Sequence, residues 1–323
     1  MRKLPSHEGG RNTIYHCGDR VIRISTALDR KKEDYLAETE YVQYLAAHGA
    51  SVANVLPSLS GRLVEQFYNG PEAVFASAFE TAAGEQLAAH GYRYREGAPL
   101  SEYYYNCGKT LGKIHALSKK YHPTHQRFDF FEKYNETYFN ALIPSNYPAL
   151  KESLNSLLQK LRALPKDINS YGMVHFDFSD GNYMIDYQTG KITVFDFDNC
   201  CTCWYLFDLA NLWTHGVGWI ASEPDADKRK CFMNNYFNTI LDGYRSETTI
   251  DDHLLDQLPL LIQCVLMENI IDEFESQKTA EDLFELDEEQ LYRIECMTKE
   301  IPFFGFFDEI YSCTAPFEIE INL

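Results

Sequence analysis

The sequence predicts an α+β protein of two lobes, a small antiparallel sheet with one helix followed by a larger, mainly helical lobe. Three features lead to this reading. Short runs of β-branched and aromatic residues, separated by Gly-Asp, Ser-Gly and Asn-Gly-Pro turns, fill residues 13–79. Apolar residues then recur at helical spacing through most of the chain after Ser101. Within that second part, Tyr171 to Trp213 carries a hairpin flanked by acids at fixed intervals. The 323 residues allow a division into 1–79 and 80–323.

Taken in order, Ser6 to Asn12 leads into a strand, Thr13 to Cys17, and Gly18-Asp19 turns the chain into a second strand, Val21 to Ser25. Gly9 and Gly10 in the lead-in let backbone approach a ligand closely, which suits a turn lying over nucleotide phosphates. Arg30 to His48 reads as a helix, because Tyr35, Leu36, Val42, Leu45 and Ala46 fall at helical spacing and Gly49 stops it. Asn54 to Ser58, Arg62 to Phe67 and Ala73 to Phe79 complete the sheet. Ser101 to Tyr121 is a helix with an apolar stripe of Tyr105, Leu111, Ile114 and Leu117, in which His115 is a packed core histidine. Residues His122 to Asn146, rich in Phe, Tyr, His and Asn, suit either interhelical packing or the lining of an acceptor pocket. Further helices are expected at Tyr147 to Leu164, Trp204 to His215, Ala226 to Tyr244, Asp251 to Ser276 and Glu281 to Thr298. The tail IPFFGFFDEIY is too short to cross a membrane and is expected to pack on the second lobe.

The central stretch carries the chemistry. His175, Asp177 and Asn182 form an H-x-D-x-x-x-x-N run, and a hairpin turning at Gln188-Thr189-Gly190 returns the chain to Asp196. Phosphoryl transfer asks mainly for in-line positioning and for cations that spread charge over the phosphoryl oxygens. One carboxylate must orient or accept the proton of a hydroxyl, which Asp177 fits. An amide oxygen from the same loop and an acid from a neighbouring strand, Asn182 and Asp196, suit a magnesium ion (Mg2+), which takes few protein oxygens and completes its shell with water and phosphate.

HFDFSDGN, followed by ITVFDFDN and then WYLFDLANLW, resembles the aminoglycoside phosphotransferase and choline kinase group of small-molecule kinases, with the protein-kinase-like fold. The likeness is greatest to the branch of homoserine-kinase-type and stress-response-kinase-like proteins, and it covers most of the chain. It implies that Asp177 is the catalytic base, that Asn182 and Asp196 bind magnesium, and that ATP is the donor. Asp208 becomes a structural acid beneath the catalytic loop, taking hydrogen bonds from backbone or from His175. Asp198 either assists the metal or pairs nearby. Where such kinases place a phosphate-binding lysine this chain has Arg23, which keeps the charge with a different geometry. Glu38 in the first helix is the residue expected to pair with it, ahead of Glu40. The stretch Ala76 to Gly84 looks like the hinge between lobes, with the backbone around Ser77, Phe79 and Glu80 facing the adenine edge.

Composition narrows the partners. A formal net charge of -19 argues against nucleic acid, whose phosphates call for surplus Lys and Arg. It permits a cationic small-molecule hydroxyl acceptor, for which Glu268, Asp272 and Glu273 are the candidates, although most of the carboxy-terminal acids read as a solvated helix face. The amino terminus lacks the apolar core of a signal peptide, and no apolar run is long enough for a membrane span. Nine cysteines without regular pairing intervals fit reduced thiols in a cytoplasmic protein. Cys200 and Cys203 share C-x-x-C spacing but have no second pair, and read as a buried turn after Asp198. Two other readings use the same motifs: a protein serine/threonine kinase of the stress-response type, and a nucleotide-binding regulatory protein with little catalysis, suggested by Arg23 and by a glycine turn unlike G-x-G-x-x-G. An interaction protein working through its acidic helices leaves the motif unexplained.

Overall fold

The computed structural model describes residues 2–3, 12–26, 30–279 and 285–302. Gly9 and Gly10, the expected phosphate-facing turn, lie outside the described residues, as do Glu281 and Asp282 and the tail beyond Pro302. The amino-terminal sheet contains β1 (Arg2–Lys3), β2 (Asn12–Cys17), β3 (Arg20–Ser25), β4 (Val55–Leu56), β5 (Glu65–Asn69) and β6 (Glu72–Glu80). Its pairings are antiparallel in the order β1-β2-β3-β6-β4, with β5 also on β6. Between β3 and β4 runs α1 (Lys32–Ala47), whose Tyr35, Glu38, Thr39, Tyr41, Val42 and Leu45 are buried at the three- and four-residue spacing of one helix face. The start of α1 packs on the sheet, Tyr35 stacking on Phe75 with ring centroids 4.7 Å apart. Its later turns join the main core, and the Tyr41 and Ser118 hydroxyls meet at 2.5 Å.

The remainder is built from α2 (Leu100–Ser118), α3 (Phe130–Lys133), α4 (Glu136–Leu142), α5 (Pro148–Arg162), α6 (Tyr205–Ile220), α7 (Ala226–Arg245), α8 (Asp252–Leu255), α9 (Leu258–Thr279) and α10 (Glu288–Thr298). The continuous helix expected from Asp251 to Ser276 is broken at Asp256–Gln257. Pro259, which has no N–H to donate, sits where a helix tolerates it, in the first turn of α9. Two small ladders hold the central motif: β7 (Tyr171–Val174) pairs with β10 (Cys201–Trp204), and β8 (Tyr183–Ile185) pairs with β9 (Ile192–Val194). Cys201 and Cys203 are therefore buried strand positions, and burial pushes both thiols up. No helix among the described residues is long and apolar enough to cross a membrane.

Two backbone contacts join the sheet to the motif. Ala53 N–H donates to Val194 O at 2.8 Å and Val194 N–H to Ser51 O at 2.9 Å. After β6, Glu85 and Ile185 exchange hydrogen bonds of 3.0 and 2.9 Å. Gly84 makes that approach feasible, since a Cβ there would lie 2.3 Å from Ile185 O and its φ is +109°.

The closest helix crossing, α2 on α7, also depends on a missing side chain. A Cβ on Gly108 would lie 1.9 Å from the carbonyl oxygen of Ile240. Gly108→Ala is expected to separate the two helices and cost about 1–3 kcal/mol, read as a lower urea midpoint; an unchanged midpoint would show that the crossing yields without cost.

Candidate active site

A buried carboxylate holds the loop between β7 and β8 from below. Asp208 of α6 accepts the backbone N–H of His175 at Oδ2 and that of Phe176 at Oδ1, both at 2.9 Å. The third contact is His115 of α2, with Nε2 at 3.1 Å from Asp208 Oδ2, while the Tyr244 hydroxyl lies 3.0 Å from Nδ1. The carboxylate must accept, so the proton belongs on Nε2 and the tyrosine donates to Nδ1. Burial lowers the pKa of His115 against the pull of Asp208, which leaves a neutral ring with this fixed tautomer. Phe176 has φ +72°, a conformation costing a non-glycine residue roughly 1–3 kcal/mol. Its ring stacks on Phe207 of the same helix α6, centroids 4.2 Å apart and 5° from parallel. One helix thus fixes both the backbone and the side chain of the strained residue that precedes Asp177.

The loop then closes on itself. Asp177 N–H donates to His175 Nδ1 at 3.3 Å, and His175 Nε2 lies 3.0 Å from Phe195 O, so this buried imidazole carries its proton on Nε2. Asn182 donates through Nδ2 to both Asp177 O (2.9 Å) and Asp177 Oδ2 (2.8 Å). With its NH2 group on Asp177, the amide oxygen of Asn182 remains for another partner. Phe195 N–H donates to Asn182 O at 2.9 Å, so the β8–β9 hairpin sets Asp196 beside Asn182 along the chain's return. Asp196 also has a left-handed backbone, φ +60°.

Burial raises the Asp177 carboxyl to about 6; Asn182 opposes the shift and the charge of Asp196 adds to it. Asp196 is likewise raised to about 6, by burial first, with Arg23 opposing and Asp198 and Glu38 adding. Its side chain is 48% exposed, so solvent tempers that shift. Two raised acids side by side are a pair short of positive charge. Asp196 and the Asn182 oxygen are hard donors, which fits a divalent ion shared with a nucleotide rather than caged by protein alone. Among the described residues no group of three or more His, Cys, Asp or Glu is arranged to hold a metal.

Above this pair lies Arg23 of β3, whose Nη1 and Nη2 donate to Glu38 Oε1 and Oε2 at 2.8 and 2.6 Å, a bidentate fork with both residues buried. Burial alone would lower the Arg23 pKa, but Glu38 and then Asp198 outweigh it and the value rises. Glu40 is committed elsewhere, accepting the backbone N–H groups of Thr124 (2.7 Å) and His125 (3.0 Å).

A base-like acid, an amide pinned to it, a second acid and a locked cation stand together at one end of the sheet. Residues 5–231 match the phosphotransferase enzyme family, more than half of the chain. The chain belongs to the phosphotransferase enzyme family. Its activity is that of a phosphotransferase. An amicoumacin kinase of Bacillus subtilis (strain 168) is 29% identical over 256 residues, covering 77% of this chain and 73% of that protein. In fold, the phosphotransferase is similar to the amicoumacin kinase hAmiN solved with AMP-PNP, Ca2+ and Ami, with a TM-score of 0.79 at 24% identity over 93% of this chain and 88% of that one. It is also similar to a microcompartment-associated aminopropanol kinase (TM-score 0.64, 17% identity, 92% of this chain and 88% of that one). The choline kinase LicA of Streptococcus pneumoniae shares the fold as well (TM-score 0.55, 16% identity, 90% and 88%).

Several expectations need correction in this phosphotransferase. Ser77 and Phe79 do not form a free hinge edge: they lie inside β6, Ser77 opposite Arg23 of β3 and Phe79 between Val21 of β3 and Val55 of β4. Phe79 instead puts its ring 5.2 Å from the Arg23 guanidinium, and β6 ends at Glu80. Glu273 faces α10, bonded by Gln290 Nε2 at 2.5 Å and with Arg293 Nη1 at 3.4 Å, away from the acids that meet α3 and α4. Asp198 pairs with Arg30, an ion pair that sequence reasoning missed. Arg127 was missed too; it donates to the carbonyls of Cys200 (2.6 Å), Asp34 (2.9 Å) and Asp198, tying the start of α1 to the turn after Asp196.

The Asp177 shift has a consequence for stability. A carboxyl raised from 3.8 to about 6 holds its proton more tightly in the folded protein than in the unfolded chain, so it opposes folding increasingly as pH rises through that window and fully above it. Asp177→Asn keeps an acceptor for Asn182 and is expected to add about 1–3 kcal/mol of stability above about pH 6, with no gain below about pH 4. Urea titrations at both ends check this, and a variant less stable than the parent at neutral pH would contradict it.

Proposed function

We propose that this phosphotransferase moves the γ-phosphoryl group of ATP to a hydroxyl on a small acceptor that also carries a positive charge. The observation behind the reading is the pinning of Asn182 on Asp177 beside Asp196. It leaves one carboxylate for a proton and two separate oxygens for an ion. In this assignment Asp177 takes the acceptor's proton. A carboxyl near 6 is largely ionised at neutral pH yet more basic than an ordinary aspartate, which suits a general base. Asn182 and Asp196 hold magnesium, which when bound neutralises charge on the β- and γ-phosphates. Arg23, oriented by Glu38, supplies a permanent charge to the phosphates. Backbone following Glu80, rather than Ser77 and Phe79, meets the adenine edge, and the lobes divide at residue 80.

The acceptor's charge is read from the corner where α3 and α4 meet α9. The hydroxyls of Tyr134 and Tyr138 donate to Glu268 and Glu275, and the charge of Glu268 is among those raising Asp177. Lys133 Nζ sits 3.8 Å from Glu268 Oε1 and 3.7 Å from Glu275 Oε1, and 4.8 Å from the Tyr134 ring centroid. An ammonium is therefore at home between these acids and this ring. Aminopropanol and choline, the acceptors in the names of two relatives, each combine a hydroxyl with a cationic nitrogen. These features together support an amino-alcohol-bearing acceptor.

The test is ATP-dependent phosphate incorporation across a panel of amino alcohols and matched neutral alcohols. Cationic acceptors are expected to react, with Asp177→Ala lowering kcat by roughly 10²–10⁴-fold and kcat/KM rising with pH through about 6 before levelling. Transfer that survives Asp177→Ala undiminished would remove Asp177 as the base. A separate calorimetric titration examines the metal: Asp196→Ala is expected to abolish the magnesium dependence of nucleotide binding, and an unaltered dependence would take Asp196 out of the site.

A further inference from the structure

The loop that carries Asp177 and Asn182 is held at its start by Asp208, and a second hold reaches it from the segment that follows β6. The side chain of Gln86 donates through Nε2 to the backbone carbonyl oxygen of Gly181 at 2.6 Å. Gln86 comes to this position with little freedom. Its predecessor Glu85 exchanges two backbone hydrogen bonds with Ile185 of β8, and its successor Leu87 is buried in the main core. Gln86 also stands at the start of a short 3-10 turn, Leu87–His90, yet its side chain makes no bond to that turn. It is directed instead to the loop, 95 positions away along the chain.

Gly181 precedes Asn182, so its carbonyl belongs to the peptide unit that leads into the asparagine assigned to magnesium. The other end of that unit is fixed within the loop, where Asn182 N–H donates to Ser179 O at 2.9 Å. A planar peptide held at both its N–H and its C=O cannot tilt without losing one of the two bonds. Asn182 is further bonded at Nδ2 to Asp177 and at its own carbonyl to Phe195 N–H. These partners lie within residues 177–195, whereas Gln86 brings its bond from outside that stretch. Gly181 is exposed and has no side chain to anchor it, so without Gln86 its carbonyl would be free to turn to water.

We propose that Gln86 is a positioning residue: by fixing the peptide between Gly181 and Asn182 it aims the amide oxygen of Asn182 at the magnesium ion held with the nucleotide. The proposal rests on Asn182 being a magnesium ligand. It differs from a tie that merely fastens the segment after β6 to the loop. Such a tie would act on nucleotide binding whether or not the metal is present. An aiming role acts only on the part of the affinity that the metal adds.

Calorimetric titration of the full chain with ADP, with and without magnesium, separates the two. Gln86→Met, which keeps the length and removes the donor, is expected to reduce the factor by which magnesium tightens ADP binding by roughly three- to tenfold, the scale of one hydrogen bond. ADP without magnesium should bind within about twofold of the parent. Gln86→His, neutral at about pH 8, has a ring nitrogen Nε2 as many bonds from the backbone as the glutamine amide, and is expected to restore the magnesium factor to near that of the parent. An unchanged magnesium factor in Gln86→Met overturns the inference, as does equal weakening with and without the metal, or a loss in Gln86→His as large as in Gln86→Met. Asn182→Ala serves as the independent arm. If magnesium tightens binding there as in the parent, the metal role of Asn182 falls and the proposal with it; if the tightening is lost there but intact in Gln86→Met, only the role of Gln86 falls.

Discussion

The grip of Asp208 on the loop between β7 and β8 is the constraint from which the rest follows. A carboxylate without solvent contact persists as an ion only if donors replace its water, and three do so: two successive backbone N–H groups and one imidazole. Those backbone donors belong to a segment bent through a left-handed residue, Phe176. The energy that would relax the bend is opposed by charge-assisted bonds that exist only when it is kept. The imidazole is in turn held by Tyr244, which reaches it because α7 lies close along the glycine face of α2. Packing between two helices is thereby converted into the placement of one aspartate.

Electrostatics complete the site. The chain carries a formal charge of -19, yet its proposed donor is an anionic nucleotide. The solution is local, with Arg23, Arg30 and Arg127 concentrated around the junction of β3, α1 and the turn after Asp196. Toward α9 acids are in excess, and Glu268 and Glu275 face α3 and α4 around the single ammonium of Lys133. Asp177 is raised by burial first and then by the charges of Asp196 and Glu268, against the hydrogen bonds of Asn182 and Ser179. Polyphosphate on one side and a cationic acceptor on the other is the arrangement such a gradient favours.

The arrangement of Asp177, Asn182 and Asp196 was legible in the sequence because its information is local. Five residues separate Asp177 from Asn182, a hairpin separates Asn182 from Asp196, and both distances are set by loop and strand geometry. The helices of the second lobe were legible through their period. What was missed is non-local. Nothing in the neighbourhood of Arg30 points to Asp198, 168 positions away, and Arg127 lies in an aromatic stretch that suggested packing or an acceptor pocket. Ser77 and Phe79 were misread because a strand that keeps alternating through Glu80 offers no sign of where the sheet ends and the linker starts. Glu273 was a different kind of miss. Helix phase puts Glu268, Asp272 and Glu275 on one stripe and Glu273 more than about a third of a turn from its centre, so the signal was present in the spacing.

Asp208 acts on chemistry through the loop it holds, rather than on stability alone. Steady-state kinetics of Asp208→Asn, which keeps the shape and removes the charge, test this most directly. The expected result is a kcat reduced by ~10²-fold, the scale of a misplacement near 1 Å, with the KM for ATP within about twofold of the parent. A folded variant with undiminished kcat would contradict it.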